Sequence, residues 1–260
     1  MSKDFGLIAD DYAFFMTHAT EAEHDAADYA RELAGFAEGR ASVRMLDFGA
    51  GGGEFTERLL KKLAWTAEKL ALHLVEPVES QRLDSAKRLS RYAQHLGAPA
   101  ITHSARLPDA NSVKPFDVVL SNHALYYVDD LAETVRGLVD LIAPDGRLLL
   151  AMASWRNALM QLWQLGFGLI DQPVPYYAAE DLTAELDHLG VPFRTSKSHY
   201  ELRFPDSEQN RLRMLRFLLA EHLDEMPQDE LLAFFNQYAE SSEIVIRTWS
   251  EHVVVDPPAE

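Results

Sequence analysis

The chain has 260 residues, 47% of them hydrophobic, enough for one fully cored domain and near the upper end of single-domain size. Its formal net charge of -17, from 24 basic and 41 acidic side chains, argues against nucleic acid or an anionic membrane as partner and draws cationic small molecules weakly. Because cysteine is absent, disulfides, thiol nucleophiles and cysteine-based metal sites are excluded; with no signal-like or membrane-length apolar run either, a cytoplasmic protein is expected.

Residues 1–20 read as irregular and aromatic-rich, with Phe5, Tyr12, Phe14 and Phe15. From Glu21 to Phe36 the apolar residues Ala26, Tyr29, Ala30, Leu33 and Phe36 recur at helical spacing, and Gly39 is a stop. An apolar run from Val43 to Leu46 then enters Asp47-Phe48-Gly49-Ala50-Gly51-Gly52-Gly53, after which Phe55, Leu59 and Leu60 return to helical spacing. The segment predicts a buried strand, a glycine turn and a helix. Four glycines in five positions cost backbone entropy, which a chain tolerates where it needs positive φ or a ligand close to the backbone. A dinucleotide fingerprint counted from Gly49 needs a glycine where Glu54 stands, and that carboxylate would repel a pyrophosphate at the helix N-terminus but not a sulfonium ligand. The pattern Asp-x-Gly-x-Gly-x-Gly, carried by Asp47, Gly49, Gly51 and Gly53, resembles the first motif of the class I S-adenosylmethionine-dependent methyltransferases.

The rest of the chain fits that resemblance. Ala71 to Val75 predicts a second strand ending at Glu76-Pro77, and the fold's acidic residue at this point, here Glu76, accepts from the ribose hydroxyls. Gln81, on the following helix from Val78 to about Leu96, is a further candidate cofactor contact. Pro99 to Thr102 is a third strand; where many class I members carry an adenine-binding aspartate, this chain has His103 and Ser104, and Ser104 is the candidate. Phe116 to Leu120 is a fourth strand, and Asn122, His123, Tyr126 and Tyr127 follow its carboxyl end, where open α/β sheets bind ligands. Leu131 to Ile142 predicts a helix, Pro144-Asp145-Gly146 a turn and Arg147 to Met152 a fifth strand. Later helices are expected over Leu159–Leu169, Ala179–Leu189, Leu212–Leu223 and Glu230–Tyr238. Long strands over Phe193–Phe204 and Glu243–Val255 would make an antiparallel edge hairpin before the tail at Asp256-Pro257-Pro258. The expected fold is α/β: a doubly wound, mostly parallel, seven-stranded Rossmann-like sheet with helical additions. It forms one domain, 1–260, with a leader over 1–40, a cofactor-binding core over 41–155 and substrate-side elements over 156–255.

A closer resemblance runs through His18-Ala19-Thr20-Glu21, Leu74-Val75-Glu76-Pro77, Leu125-Tyr126-Tyr127-Val128, Leu162-Trp163 and Tyr177 to Gly190. In that order, over nearly the whole chain, these stretches resemble the histamine N-methyltransferase family, which implies a monomer that methylates an imidazole amine. The resemblance implies that Glu21 holds the substrate, that Tyr126 and Tyr127 are paired cavity tyrosines, and that Tyr12 and Trp163 are cavity aromatics. Phe15, on the leader of the class I fold, joins them. The match is partial: His123 stands where the family has a glutamine, Leu159 where it has a second tryptophan, and Arg247-Thr248 where it has an asparagine pair.

Methyl transfer from a sulfonium is an in-line displacement with an excellent leaving group, so alignment, water exclusion and a neutral nucleophile suffice, without a metal or covalent nucleophile. Glu21 and His123 are the candidate catalytic residues, Glu21 orienting the acceptor and His123 taking a proton where the nucleophile requires it. Arg247 is the candidate for binding a carboxylate on an amino-acid acceptor. The expected acceptor is therefore a nitrogen of a small amine, imidazole or amino acid. Two alternatives stay open: a small-molecule O-methyltransferase with His123 as base, and an inactive S-adenosylmethionine-binding regulatory or interaction protein.

Overall fold

The structure is a computed structural model in which residues 8–94 and 99–256 are described. Phe5, Leu96 and the Pro257-Pro258 tail named above lie outside those residues. One sheet organises the chain. Its strands are β1 (Val43–Phe48), β2 (Leu70–Val75), β3 (Ile101–Ser104), β4 (Phe116–Asn122), β5 (Ile142–Met152), β6 (Phe193–Pro205), β7 (Ala239–Glu240) and β8 (Glu243–Val255). They lie in the order β3-β2-β1-β4-β5-β8-β6, with β7 pairing beside β8. The five strands from β3 to β5 are parallel, and β8 runs antiparallel to both β5 and β6, giving the expected edge hairpin. The short β7 makes the sheet eight-stranded rather than seven.

The inner parallel strands β1, β4 and β5 are apolar on both faces because helices cover both, while β3 at the edge, Ile-Thr-His-Ser, stays partly exposed. Val119, Leu148 and Leu150 point into one core and Val118, Leu120 and Leu149 into the other, as the two-residue period requires. The helices are α1 (Ala9–His18), α2 (Glu21–Glu32), α3 (Glu54–Leu63), α4 (Glu79–Leu89), α5 (Leu131–Asp140), α6 (Ala158–Leu169), α7 (Ala179–His188), α8 (Glu208–Leu219) and α9 (Gln228–Phe234). From β1 the chain winds to β2 on one side and later to β4 on the other, so the carboxyl ends of β1 and β4 open a crevice at a topological switch point.

Two sequence expectations are corrected. Residues 9–18 are helical, not irregular. The helix has an aromatic-rich sequence, and tertiary contacts hold it: Asp11 pairs with Arg213 and Arg216 of α8, and Phe15 stacks on Phe217 at 4.7 Å. The Pro144-Asp145-Gly146 turn lies within β5, where pairing jumps from Phe116 opposite Ile142 to Val118 opposite Arg147. The extra residues form an irregularity in one continuous strand.

Candidate active site

The glycine turn joins β1 to α3. Gly49, Gly51 and Gly53 all have positive φ, at 77°, 51° and 82°. Gly53 is the N-cap of α3 and packs on Ser85, whose Cβ would lie 3.1 Å from a side chain there. Gly51 instead faces open space beside Gln81, and its N–H donates to Glu76 Oε2 at 3.0 Å. Glu76 Oε1 accepts from the Val78 N–H at 2.9 Å, so the buried carboxylate holds the turn against the end of β2 and keeps lone pairs on both oxygens. Nearby, Asn122 Oδ1 is buried and accepts no hydrogen bond among the described residues. Such a cradle, with a glycine no Cβ fills, a buried carboxylate and an orphan acceptor, fits a polar ligand rich in hydroxyl and amine donors.

Gly49, Gly51, Glu76, Gln81 and Asn122 line one cleft of about 2240 Å³, more than twice a usual ligand pocket of roughly 300–1,000 Å³. Its other end is walled by Tyr12 and Phe15 of α1, Glu21 of α2, and His123, Tyr126 and Tyr127 after β4. Trp163 of α6 closes it, its indole N–H donating to the Leu218 carbonyl at 2.8 Å and its ring meeting Tyr126 edge-on at 5.8 Å. Tyr127 lies 5.7 Å from Tyr126 and 6.4 Å from Trp163, centroid to centroid. The cleft thus runs from a polar cradle to an aromatic box with one carboxylate in its wall.

Beneath the box lies a buried ionic network. Asp25, one turn after Glu21 on α2 and fully buried, accepts from two imidazoles: His123 Nε2 lies 3.0 Å from Oδ2 and His252 Nε2 2.8 Å from Oδ1. His123 Nδ1 is 2.8 Å from the Tyr126 hydroxyl, which also accepts the Ala153 N–H. Burial alone would push the His123 imidazole down, but the Glu21 carboxylate 3.6 Å away and the bond to Asp25 outweigh it and raise the pKa to about 9. Burial alone would raise the Asp25 carboxyl; the two histidine hydrogen bonds win and lower it to about 2. Glu21 is raised, mainly by burial, against the opposing field of His123 and a hydrogen bond from Tyr200. His123 is therefore an imidazolium at neutral pH, with both nitrogens engaged. Its backbone is left-handed, with φ 54°, a cost a histidine bears where surroundings fix it. Glu21, Asp25 and His123 present atoms within 4.8 Å of one another, and in this structure they pair with one another, His123 Nε2 lying 3.0 Å from Asp25 and 3.6 Å from Glu21.

This architecture agrees with comparisons to known proteins. The family described as "Methyltransferase domain" matches residues 19–191. The chain belongs to that family. Among curated methyltransferases it is 25% identical over 175 residues to histamine N-methyltransferase of Xenopus tropicalis, covering 63% of this chain and 58% of the relative. It is 24% identical over 209 residues to carnosine N-methyltransferase 2 of Gallus gallus, covering 72% and 64%. The chain thus spans about three fifths of the length of these relatives. Among solved methyltransferase structures, that of the plantazolicin methyltransferase BpumL in complex with SAH shares the fold with a TM-score of 0.53 at 12% identity, over 98% of this chain and 91% of that one.

Four residues expected in the site lie elsewhere. Asp47 does not reach the cleft; it is buried under the turn and accepts from the Thr56 hydroxyl. Burial raises its carboxyl to about 6, against the Thr56 bond and with help from Glu76. Gly53 serves helix packing. Ser104 donates to the Arg106 carbonyl and meets His73 at 3.0 Å, which turns it along the edge of the sheet. Arg247 is exposed and pairs with Glu240 at 2.7 Å and Glu201 at 3.2 Å, because strand alternation sends Thr248 inward instead. Sequence reasoning missed Asp25 and His252. The usable pattern was the spacing of four between Glu21 and Asp25, and the buried polar alternation Thr248, Ser250, His252 along β8.

Proposed function

We propose that this chain transfers the methyl group of S-adenosylmethionine to a nitrogen of a small amine or imidazole. The observation that carries the reading is a single buried carboxylate, Glu21, in an aromatic-walled chamber continuous with the Gly49–Gly51 and Glu76 cradle. S-adenosylmethionine is the methyl donor and supplies an activated methyl on a sulfonium. Glu76 and the glycine turn hold its polar part, with Gln81 and the orphan Asn122 oxygen as further acceptors. Tyr126, Tyr127 and Trp163 exclude water and can present ring faces to a cationic centre, an interaction of roughly 0.5–2 kcal/mol. Glu21 receives the N–H or ammonium of the acceptor and orients its lone pair. The relatives that act on histamine and carnosine, both imidazole compounds, support this acceptor class.

The amino-acid version of the acceptor rested on Arg247, which faces away from the cleft. The O-methyl alternative takes His123 as base; Asp25 and Tyr126 engage both of its nitrogens, so a hydroxyl acceptor would reach it only through Tyr126. An inactive binding protein remains the contrasting class. We read the whole chain as one catalytic domain acting as a monomer on a small molecule, without nucleic acid or membrane, in the cytoplasm. The net charge of -17 speaks against nucleic acid and an anionic membrane as partners, and no helix among the described residues is long and apolar enough to cross a membrane.

The test is incubation with methyl-labelled cofactor and a panel of imidazoles, amines, amino acids and phenols. Label in imidazoles or amines is the expected result, and label confined to phenols overturns the nitrogen reading. No transfer to any member, with the cofactor bound, leaves the inactive binding protein. Glu21→Gln should keep affinity for S-adenosylhomocysteine within about twofold while transfer falls at least tenfold.

A further inference from the structure

We infer that Tyr126, His123 and Asp25 form a proton relay leading out of the acceptor chamber, with Tyr126 as its catalytic, ligand-facing end and Asp25 as a positioning residue. The inference rests on the methyl-transfer reading above and adds the fate of the proton that the acceptor must lose.

Counting hydrogens makes the argument. A phenol hydroxyl has one hydrogen and two lone pairs. In Tyr126 one lone pair takes the Ala153 N–H, and the hydroxyl lies 2.8 Å from His123 Nδ1. When His123 is neutral, with its hydrogen on Nε2 toward Asp25, Tyr126 gives its hydrogen to Nδ1 and keeps one lone pair for the chamber. When His123 is an imidazolium, Nδ1–H fills that lone pair, and only the phenol hydrogen can turn to the chamber. The same hydroxyl therefore accepts an acceptor's N–H in one state of His123 and refuses it in the other. In the productive state, with His123 neutral, a minority at neutral pH that grows as pH rises toward the His123 pKa of about 9, the acceptor's N–H bond breaks and its electron pair stays on nitrogen. Its proton passes to Tyr126 Oη as the phenol proton passes to His123 Nδ1. The result is a neutral tyrosine, an imidazolium paired with Asp25 and a nitrogen lone pair free to take the methyl; the imidazolium later returns its proton to solvent.

The surroundings are built for this. Glu21 and Asp25 face His123 from α2, Tyr126 from its own loop, and Ser250 at 3.3 Å from β8, while His252 reaches it through Asp25. His252 grips the second oxygen of Asp25, so the carboxylate stays ionised and cannot turn away. Asp25 touches no part of the cleft, which makes it a positioning residue.

The test follows the Cε1 carbon of His123 by NMR in histidine-labelled protein, with and without S-adenosylhomocysteine, using imidazole as probe. In the wild type His123 should titrate at about 9. Asp25→Asn should lower that by about one unit or more, a tenfold loss of proton affinity. Imidazole should shift the titration in the wild type and leave it in place in Tyr126→Phe, an isosteric change that keeps the protein folded if Asp25→Asn does not. The relay is overturned if His123 titrates alike with and without the Asp25 charge, or if imidazole moves it equally in Tyr126→Phe. A purely structural Asp25 would lower only the melting temperature. Failure of S-adenosylhomocysteine to bind in calorimetry would sink the methyl-transfer reading instead, and the titration of the ligand-free protein would still decide the relay.

Discussion

Gly49 and Ala124 approach so closely that a methyl group added to Gly49 would lie 2.2 Å from the Ala124 Cβ. The glycine turn and the loop carrying His123 are thus pressed together across the crevice. Gly49 also has φ 77°, which an alanine adopts only with strain. Gly49→Ala should cost roughly 2 kcal/mol or more of stability, read as a lower urea midpoint, and weaken S-adenosylhomocysteine at least tenfold. Native values for both would mean that the two loops part freely.

Glu76 holds the turn through Gly51 and Val78, and in the proposed site it also receives the ligand. Glu76→Ala should weaken S-adenosylhomocysteine by about 1.5–3 kcal/mol, roughly ten- to two-hundredfold by calorimetry. Unchanged affinity in a folded variant would remove Glu76 from the site.

Asp47 carries a stability cost at neutral pH. Its folded pKa of about 6 lies above the usual value of 3.8, so its favourable contribution is full below pH 3.8 and lost as pH rises through 6. Asp47→Asn, which keeps an acceptor for Thr56, should stabilise the protein at pH 7 by about 1–3 kcal/mol. The gain should fade toward pH 4. Equal melting temperatures at pH 7 would show that the buried carboxylate is better solvated than its surroundings imply.

The paired groups have the opposite pH logic at each end. His123, raised to about 9, contributes stability that is full below its usual 6.5 and lost as pH rises through 9. Asp25, lowered to about 2, contributes above 3.8 and loses it as pH falls through 2. Thermal melts of the wild type should therefore weaken between pH 7 and 10, and His123→Gln should flatten that limb. An identical alkaline decline in both proteins would place its origin elsewhere.

The parts legible in sequence were those written locally. Strand, glycine turn and helix from Val43 to Leu60 follow from a change of hydrophobic period around glycines, and Glu76 from its place after β2. Helix α1 was hidden because its aromatic residues are poor helix formers and its support lies on α8, some two hundred positions away. Arg247 illustrates another limit: a strand shows two faces, and one residue of register separates an arginine in solvent from a threonine in the core. The Asp25 network was invisible because its members are separated by 98 and 227 positions, and nothing local marks a buried carboxylate as shared.

That last separation has a consequence for synthesis. The bond from His252 to Asp25 spans 227 residues, so Asp25 leaves the ribosome roughly 11–45 s before the histidine that completes its pairing, at about 5–20 residues per second. During that interval the cradle made by Gly49, Gly51 and Glu76 is already encoded in the emerged chain, while the floor of the acceptor chamber is not. The Gly49–Gly51 turn and Glu76 therefore leave the ribosome well before the β8 histidine that completes the pairing of Asp25.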